Sequence, residues 1–423
     1  MKPLFIISCP IDTYSGYGAR SRDIVKAIIE LDRYDVKILP QRWGNYPWNF
    51  IKNHKREWGF LESYLLPQGN QLPERPQIWA QITVPNEFQP VGLYNIGITA
   101  GIETTICPAE WIEGINRMDL NLVSSEHSKK VILDSKFEQI DSRSQQKIGI
   151  IQTQKPVEVL FEGVDLETFF PKKSTFNLNE IEEEFAYLFV GHWLPGNTGH
   201  DRKNVGAMIH SFLNTFKNKK NPPALILKTS GSGTSYMDRE LILKKINRIY
   251  THIKKTARTL PNIYLFHGEI SNSEMNELYN HKKVKAMISA TKGEGFGRPL
   301  LEFSLTKKPI LTTNWSGHTD FLDPQFTTLI AGELTQVDES AANKFLLKES
   351  KWFDYSRPEF EFFLEDIPKK YKKYKENAVR QAYKSKTDFS YEAMKNLLSE
   401  YLTKADSALP QPVKLDLPEI TLL

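Results

Sequence analysis

The sequence predicts an α/β protein built from two doubly wound domains that face each other across a cleft. Two observations support this prediction. Short, unbroken apolar runs alternate with helical patterns along most of the chain, and the alternation pauses in a polar stretch at about residues 165–184 before it restarts. Apolar strands separated by helices are typical of a parallel sheet that is covered on both faces. The length of 423 residues agrees with two domains of ordinary size.

The first domain is predicted to span residues 1–170. Its strands are predicted at Leu4–Ser8, Val36–Gln41, Ile78–Val84, Tyr94–Ala100, Leu120–Ser125 and Val157–Phe161. Its helices are predicted at Ala19–Leu31, Ala109–Met118 and Glu126–Asp134. Ligands of such open sheets lie at the carboxyl ends of the strands, so the cleft is the expected site.

The second domain is predicted to span residues 171–385. Its strands are predicted at Ala186–Val190, Ala224–Thr229, Ile263–His267, Val284–Ala290 and Pro309–Thr313. A helix from Lys203 carries a regular apolar stripe, and after about Asn343 the sequence reads as helical. Residues 386–423 are predicted to form a terminal helix that returns to the first domain, followed by an extended tail with several prolines.

Composition excludes several classes of protein. Hydrophobic residues make up 40% of the chain and charged residues 25%, as in ordinary globular proteins. A net charge of +4 is too small to indicate a nucleic-acid partner by itself. Two cysteines, Cys9 and Cys107, cannot build a disulfide framework, which favours a reducing, cytoplasmic location. No apolar run is long enough to span a bilayer.

The strongest chemical signal is the glycine-rich segment from Thr291 to Glu302, which directly follows a predicted strand. Its glycines allow backbone N–H groups to approach an anion, and the following helix adds the positive end of its dipole. Two carboxylates beside a phosphate would repel it, so Glu294 and Glu302 are predicted to accept hydrogen bonds from hydroxyl groups. A sugar and a ribose would satisfy both of them.

With Glu294 and Glu302 placed in the run EGFGRPLLE, the chain resembles the retaining GT-B glycosyltransferases of the family-4 type. Four further segments resemble parts of the same enzymes: Tyr94–Lys130, Val159–Phe170, Phe189–Gly206 and Ile310–Leu322. A looser resemblance is to glycosyltransferases encoded by large tailed phages. The resemblance implies the GT-B fold, with two Rossmann-like domains and C-terminal helices.

The resemblance also implies roles for residues of the second domain. Glu294 would contact the transferred sugar and Glu302 the ribose of the nucleotide. Arg202 and Lys203 match the basic pair that holds the donor diphosphate. Gly295, Phe296 and Gly297 complete the donor-binding loop.

No Asp-x-Asp pair occurs in the sequence. Such a pair holds a divalent ion in metal-dependent glycosyltransferases of the other common fold. We therefore expect neither a metal nor a cofactor, with a nucleoside diphosphate sugar as co-substrate.

In the first domain, the resemblance assigns Gly16, Tyr17 and Gly18 to a loop that approaches the donor phosphates. Glu103 and His127 follow the fourth and fifth predicted strands and are candidate catalytic residues. The structural alternatives are a tight strand-to-helix turn for the glycines and a packed histidine at a helix start for His127.

A segment from Arg42 to Tyr64 mixes aromatic and basic side chains, and Trp43 and Trp48 are its candidate acceptor-side residues. Such residues stack bases or sugars, or form a small hydrophobic core. The basic stretch Lys369–Lys386 has the same alternatives, including that of a solvated helix face.

Three functional classes remain open on sequence alone. The leading hypothesis is a retaining glycosyltransferase, whose acceptor is either a hydroxymethylated base in double-stranded DNA or a glycan or lipid-linked molecule. The second is an NADP-dependent oxidoreductase, because Gly16, Gly18 and Ser21 nearly match a dinucleotide fingerprint and Arg42 follows the second strand. The third is a non-catalytic protein that binds nucleotide sugars or nucleic acid.

Overall fold

The computed structural model describes residues 2–67, 72, 74–141, 143–231 and 233–409. The predicted proline-containing tail lies outside these residues.

The first domain is a parallel sheet of six strands with helices on both faces. Its elements in chain order are β1 (Leu4–Cys9), α1 (Gly16–Glu30), β2 (Asp35–Pro40), α2 (Phe50–Asn53), α3 (Lys55–Trp58), β3 (Ile78–Ile82), β4 (Tyr94–Ile98), α4 (Ala109–Arg117), β5 (Leu120–Val123), α5 (Glu126–Asp134), β6 (Phe137–Ile140), β7 (Lys147–Ile151) and β8 (Val157–Val159). The strand order is β2-β1-β3-β4-β5-β8, and every adjacent pair is parallel. The residues of β1, β3 and β5 are buried throughout, as expected of strands covered on both faces.

The second domain repeats this architecture. Its elements are β9 (Ala186–Val190), α6 (Val205–Phe216), β10 (Ala224–Lys228), α7 (Tyr236–Lys254), β11 (Ile263–Phe266), α8 (Asn272–Asn280), β12 (Val284–Ile288), α9 (Arg298–Ser304), β13 (Ile310–Thr313), β14 (Thr328–Ile330), β15 (Gly332–Gln336), β16 (Lys351–Tyr355), α10 (Arg357–Lys369) and α11 (Tyr371–Asp388). A further helix, α12 (Tyr391–Ala408), follows them. The parallel strand order β11-β10-β9-β12-β13-β14 is that of a Rossmann sheet. The prediction of two doubly wound domains is therefore confirmed.

Three local expectations were wrong. Helix α1 begins at Gly16 rather than Ala19, because the Ser15 side chain accepts a hydrogen bond from Gly18 N and caps the helix. Helix α6 begins at Val205, so Arg202 and Lys203 precede the helix instead of opening it. The region after Asn343 is not wholly helical, since β16 pairs there with β15 in an antiparallel hairpin.

The last described helix packs against the first domain. Met394, Leu398 and Leu402 of α12 are buried in the same apolar cluster as Ile7 of β1 and Ile24 of α1. At the start of this helix, Val164 N donates to Phe389 O and Tyr391 N donates to Val164 O. The chain thus crosses from the second domain back to the first through α12.

Among the described residues, no helix is both long and apolar enough to cross a membrane. Cys9 and Cys107 are both free and buried.

Candidate functional site

A cavity of about 500 Å³ lies between the two domains. The loops that line it follow β1, β2, β4 and β8 of the first sheet and β9, β10, β11 and β12 of the second, so it lies at the carboxyl ends of both sheets. This is where ligands of open α/β sheets bind. The sequence-predicted residues that line it are Gly16, Tyr17, Trp43, Glu103, Arg202, Lys203, Glu294, Gly295, Phe296, Gly297 and Glu302.

The glycine-rich loop between β12 and α9 passes very close to the first domain. A Cβ atom on Gly293 would lie 2.0 Å from Glu103 O, and one on Gly295 would lie 2.6 Å from Ala100 O. Gly297 has a φ of +98° and stands at the N-cap position of α9. Glycine is therefore required here both for close approach and for backbone conformation.

The backbone of Glu294 is held from both sides. Its N–H donates to Ser316 Oγ at 2.9 Å, and its carbonyl accepts from Gly317 N at 2.9 Å. The neighbouring basic loop is attached to the same segment, because Lys292 N donates to Arg202 O at 2.8 Å. These contacts fix Glu294 relative to Arg202 and Lys203.

The two basic residues converge on Glu294. Lys203 Nζ lies 2.5 and 2.6 Å from the two carboxylate oxygens of Glu294. Arg202 Nη1 lies 3.5 Å from Glu294 Oε2 and 3.3 Å from Glu103 Oε1, which belongs to the first domain. The side chains of Lys203 and Glu294 are only 13% and 7% exposed. Burial alone would raise the pKa of Glu294, but Lys203 and Arg202 outweigh it and lower that pKa to about 2.

Glu302 occupies another part of the cavity wall. Its Oε1 accepts from Arg298 Nε at 3.1 Å and its Oε2 accepts from Tyr279 Oη at 3.0 Å. Glu302 is itself buried. The two glutamates of the motif therefore have separate partners within one cavity.

The first domain contributes a glycine turn and an aromatic pair. Tyr17 stacks on Trp43 with ring centroids 4.0 Å apart, and its hydroxyl is 2.8 Å from Thr99 Oγ1. Gly16 borders the cavity and has space around its Cα. Gly18 instead faces the preceding loop, where a Cβ would lie 2.4 Å from Thr13 O. Gly18 is thus needed for a tight turn between strand and helix, which was the structural alternative to a role in donor binding.

Three predicted residues, Gly18, His127 and Trp48, lie outside the described cavity lining. The His127 ring packs edge-on against Trp315, with centroids 4.6 Å apart, and burial lowers its pKa to about 4. A packed histidine at a helix start was the structural alternative for this position. Trp48 lies beneath the Arg42 guanidinium, 5.5 Å from its ring centroid. Within the same segment Ile51 and Leu61 join the core of the first domain, so part of it is a hydrophobic mini-core.

The cavity also contains residues that the sequence analysis missed. The group comprises Arg20, Tyr46, Glu162, His192, Lys228, Thr229, Ser230, Glu269 and Arg298. Lys228 is the last residue of β10, and its position at the carboxyl end of a strand was a usable signal. Arg298 stood inside the quoted motif but was not assigned a role.

The arrangement suits a ligand that carries both negative charge and hydroxyl groups. Arg202, Lys203 and Lys228 supply cations, while Glu294 and Glu302 supply hydrogen-bond acceptors. Among the described ranges, no cluster of three or more His, Cys, Asp or Glu side chains could hold a metal ion.

Several solved structures share this fold, among them a glycosyltransferase, a sucrose-phosphate synthase and a protein in complex with UDP and glucose. A glycosyltransferase from Rickettsia africae matches with a TM-score of 0.61 and 13% identity, over 96% of this chain and 99% of that chain. Sucrose-phosphate synthase from Thermosynechococcus elongatus matches with a TM-score of 0.59 and 10% identity, over 96% and 100%. Anabaena HepE in complex with UDP and glucose matches with a TM-score of 0.57 and 10% identity, over 95% and 100%. These likenesses confirm the GT-B fold.

No protein-family model matches the chain. No curated protein matches it in sequence either.

Proposed function

We propose that this chain is a retaining glycosyltransferase of the family-4 type, which transfers a sugar from a nucleoside diphosphate sugar to an acceptor hydroxyl. The observation that carries the proposal is the convergence of Lys203 and Arg202 on Glu294 inside the cavity between the domains. The two cations are suited to a diphosphate and the carboxylate to a sugar hydroxyl. Anabaena HepE, which shares the fold, was solved with UDP and glucose, and this supports a uridine nucleotide as the first donor to test.

In this proposal, Arg202 and Lys203 stabilise the negative charge that builds on the departing diphosphate. The bond from the anomeric carbon to the phosphate oxygen breaks, and the acceptor oxygen bonds to the same face of that carbon. The acceptor proton passes to a leaving-phosphate oxygen. Glu294 orients the sugar, and Glu302 accepts hydrogen bonds from the ribose. The close approach of the two domains at Gly293 and Gly295 would limit access of water to the reacting centre.

The first domain would present the acceptor. Tyr17 and Trp43 form a stacked aromatic wall of the cavity, and Glu103 reaches the same place from the loop after β4. We keep Glu103 as the candidate catalytic residue of this domain. His127 is proposed at most as a neutral packing partner of Trp315, in keeping with its lowered pKa.

We propose that catalysis needs no divalent ion, because Arg202 and Lys203 line the cavity and could offset the diphosphate charge themselves. Turnover should then be unchanged after exhaustive treatment with a chelator. Loss of turnover that magnesium or manganese restores would overturn this part of the proposal. Two free, buried cysteines are in keeping with a cytoplasmic enzyme.

For the acceptor we favour a hydroxymethylated base in double-stranded DNA, with a glycan or lipid-linked acceptor as the alternative. Arg42, Lys52, Lys55 and Arg56 are exposed cations of the segment that also carries Trp43 and Trp48, and they support this choice. Binding of a hydroxymethylated duplex should weaken steeply as salt rises, because phosphate contacts release counterions. Salt-independent or absent duplex binding, with sugar transfer to a glycan or lipid-linked acceptor, would support the alternative.

The proposed donor chemistry is tested with a thermal-shift panel of nucleoside diphosphate sugars and NADP, followed by assays of donor hydrolysis and transfer. We expect at least one diphosphate sugar to stabilise the protein. Lys203→Ala should weaken its binding by roughly tenfold or more, as expected for a charge-assisted contact. Lys348→Ala provides the matched control, because this lysine is exposed and pairs only with the exposed Glu339 among the described ion pairs.

The same panel separates the remaining alternatives. Stabilisation by NADP alone would favour an oxidoreductase. Donor binding without any hydrolysis or transfer would favour a non-catalytic protein. Sugar transfer by wild type that is lost in Glu294→Gln, with folding intact, would exclude both the oxidoreductase and the non-catalytic protein.

A further inference from the structure

One arginine joins the two domains at the wall of the cavity. Arg298 is the first residue of α9 in the second domain. Its Nη1 donates to Oδ2 of Asp23, a residue of α1 in the first domain, at 2.6 Å. Its Nε donates to Oε1 of Glu302, one helical turn further along α9, at 3.1 Å. The guanidinium therefore connects the first domain with a carboxylate that lines the cavity.

This connection is shielded from solvent. The side chains of Arg298 and Asp23 are 20% and 16% exposed, and that of Glu302 is 10% exposed. Ion pairs at such sites are screened much less than pairs on the surface. Glu162 also faces Arg298, while Asp23 faces Arg20 and Arg22 of its own helix. The charges around Arg298 are thus mixed, and Asp23 is the carboxylate of the first domain that contacts it directly.

Glu302 is oriented by two donors but is not saturated by them. One oxygen accepts from Arg298 and the other from Tyr279, a residue of α8. An ionised carboxylate offers about four lone-pair sites, so each oxygen keeps one for a further donor. The two existing bonds fix the plane of the carboxylate and therefore the direction of the remaining sites.

We propose that Arg298 and Asp23 are positioning residues for the nucleoside: Asp23 fixes the Arg298 guanidinium when the domains are closed, and Arg298 in turn orients Glu302 for the ribose hydroxyls. The inference rests on the proposed function, since it assumes that Glu302 accepts from a ribose. It adds that ribose recognition depends on a residue of the opposite domain. Nucleoside binding and domain closure would then favour each other.

The test compares wild type with Asp23→Asn, which keeps the size of the side chain and removes its charge. Binding of UDP and GDP is measured by calorimetry, together with their 2′,3′-dideoxy forms and inorganic pyrophosphate. For the ribonucleotide that wild type binds, we expect Kd to rise roughly tenfold. For its dideoxy form and for pyrophosphate, which lack the ribose hydroxyls, we expect a change of less than about twofold. In turnover assays, the KM of the donor should rise with little change in kcat.

Two further variants separate positioning from a general weakening of the closed structure. Asp320→Ala removes a different contact between the domains, in which Asp320 Oδ2 accepts from Glu126 N at 2.8 Å, outside the cavity. This variant should leave the preference for ribose over dideoxyribose unchanged. Arg298→Gln should lose the same preference as Asp23→Asn, and the double variant should lose no more than Arg298→Gln alone.

The outcomes are distinct. If wild type binds a diphosphate but Asp23→Asn weakens the ribose and dideoxy forms equally, the positioning role is overturned while the proposed function stands. The same holds if Asp320→Ala changes the ribose preference as much as Asp23→Asn does. If wild type binds neither UDP, GDP nor pyrophosphate, the proposed function fails and this inference fails with it.

Discussion

At the scale of single residues, the Glu294 carboxylate contacts two cations that a bound diphosphate would also attract. Glu294 pairs with Lys203 at 2.5 Å and faces Arg202 at 3.5 Å. A bound diphosphate would compete for both cations and leave Glu294 free to accept from a sugar hydroxyl. Glu294 offsets part of the positive charge of Lys203 and Arg202, because two buried cations without a counter-charge would be strongly unfavourable.

This pairing predicts how stability depends on pH. The pKa of Glu294 is lowered from its ordinary value of 4.5 to about 2, so the contribution of its charge to stability is complete above pH 4.5 and is lost as pH falls from there towards 2. Glu294→Gln should therefore lower the free energy of unfolding by about 3 kcal/mol at neutral pH. The difference from wild type should shrink below pH 4.5. Urea unfolding at several pH values measures it.

The control for this experiment is Glu339→Gln. Glu339 also pairs with a lysine, but its side chain is 84% exposed. Exposed pairs contribute little, so this variant should match wild type within about 0.5 kcal/mol at every pH. An effect of Glu294→Gln that persists unchanged near pH 2 would mean that its cause is not the charge of Glu294.

A site residue could be predicted from the sequence when the motif that indicates it is continuous in the chain. Glu294, Glu302 and the glycines form one continuous motif after a buried strand, so their shared location could be predicted. Lys203 approaches Glu294 from a separate loop, and its place in the cavity was expected from resemblance alone. Asp23 and Arg298 are 275 residues apart in the sequence, and nothing in a single sequence indicates that they meet.

At the scale of elements, buried strands could be predicted from the sequence and exposed strands could not. The core strands β1, β3 and β9 are almost wholly buried and read as unbroken apolar runs. Strand β15 is exposed along most of its length, and its residues carry no apolar pattern. The hairpin β6–β7 is also largely exposed, and β14 has only three residues. These strands depend on pairing with a neighbour, which periodicity does not report.

Helix α12 provides a test at this scale. Leu398 is 1% exposed and lies in the core cluster of the first domain. Leu398→Ala should reduce the free energy of unfolding by about 2–5 kcal/mol, because it removes buried apolar contacts and leaves a cavity. Glu400→Ala, an exposed position on the same helix, should change it by less than about 0.5 kcal/mol. Equal effects in guanidinium unfolding would show that α12 does not dock on this core.

At the scale of the whole molecule, the site exists only where the two domains meet. Arg202 of the second domain lies 3.3 Å from Glu103 of the first, and Ser124 Oγ lies 3.4 Å from Gly295 O. Sequence patterns predicted both sheets and the cleft between them. They could not give the distance across it, because that distance is set by contacts between backbone atoms of loops that are far apart in the chain.

The close approach of the domains leads to the last prediction. In Gly295→Ala, the new Cβ would lie 2.6 Å from Ala100 O, a backbone atom of the other domain, so the domains must move apart. Each domain should still fold, while kcat/KM falls on the order of 100-fold because the donor and acceptor sides are misplaced by about 1 Å. Small-angle scattering should show a larger radius of gyration for the variant bound to donor.

Gly233→Ala is the matched control, since a Cβ there meets no atom within 4 Å. Full activity in Gly295→Ala would mean that turnover does not need the domain contact seen here, and the closed cleft would then have no part in catalysis.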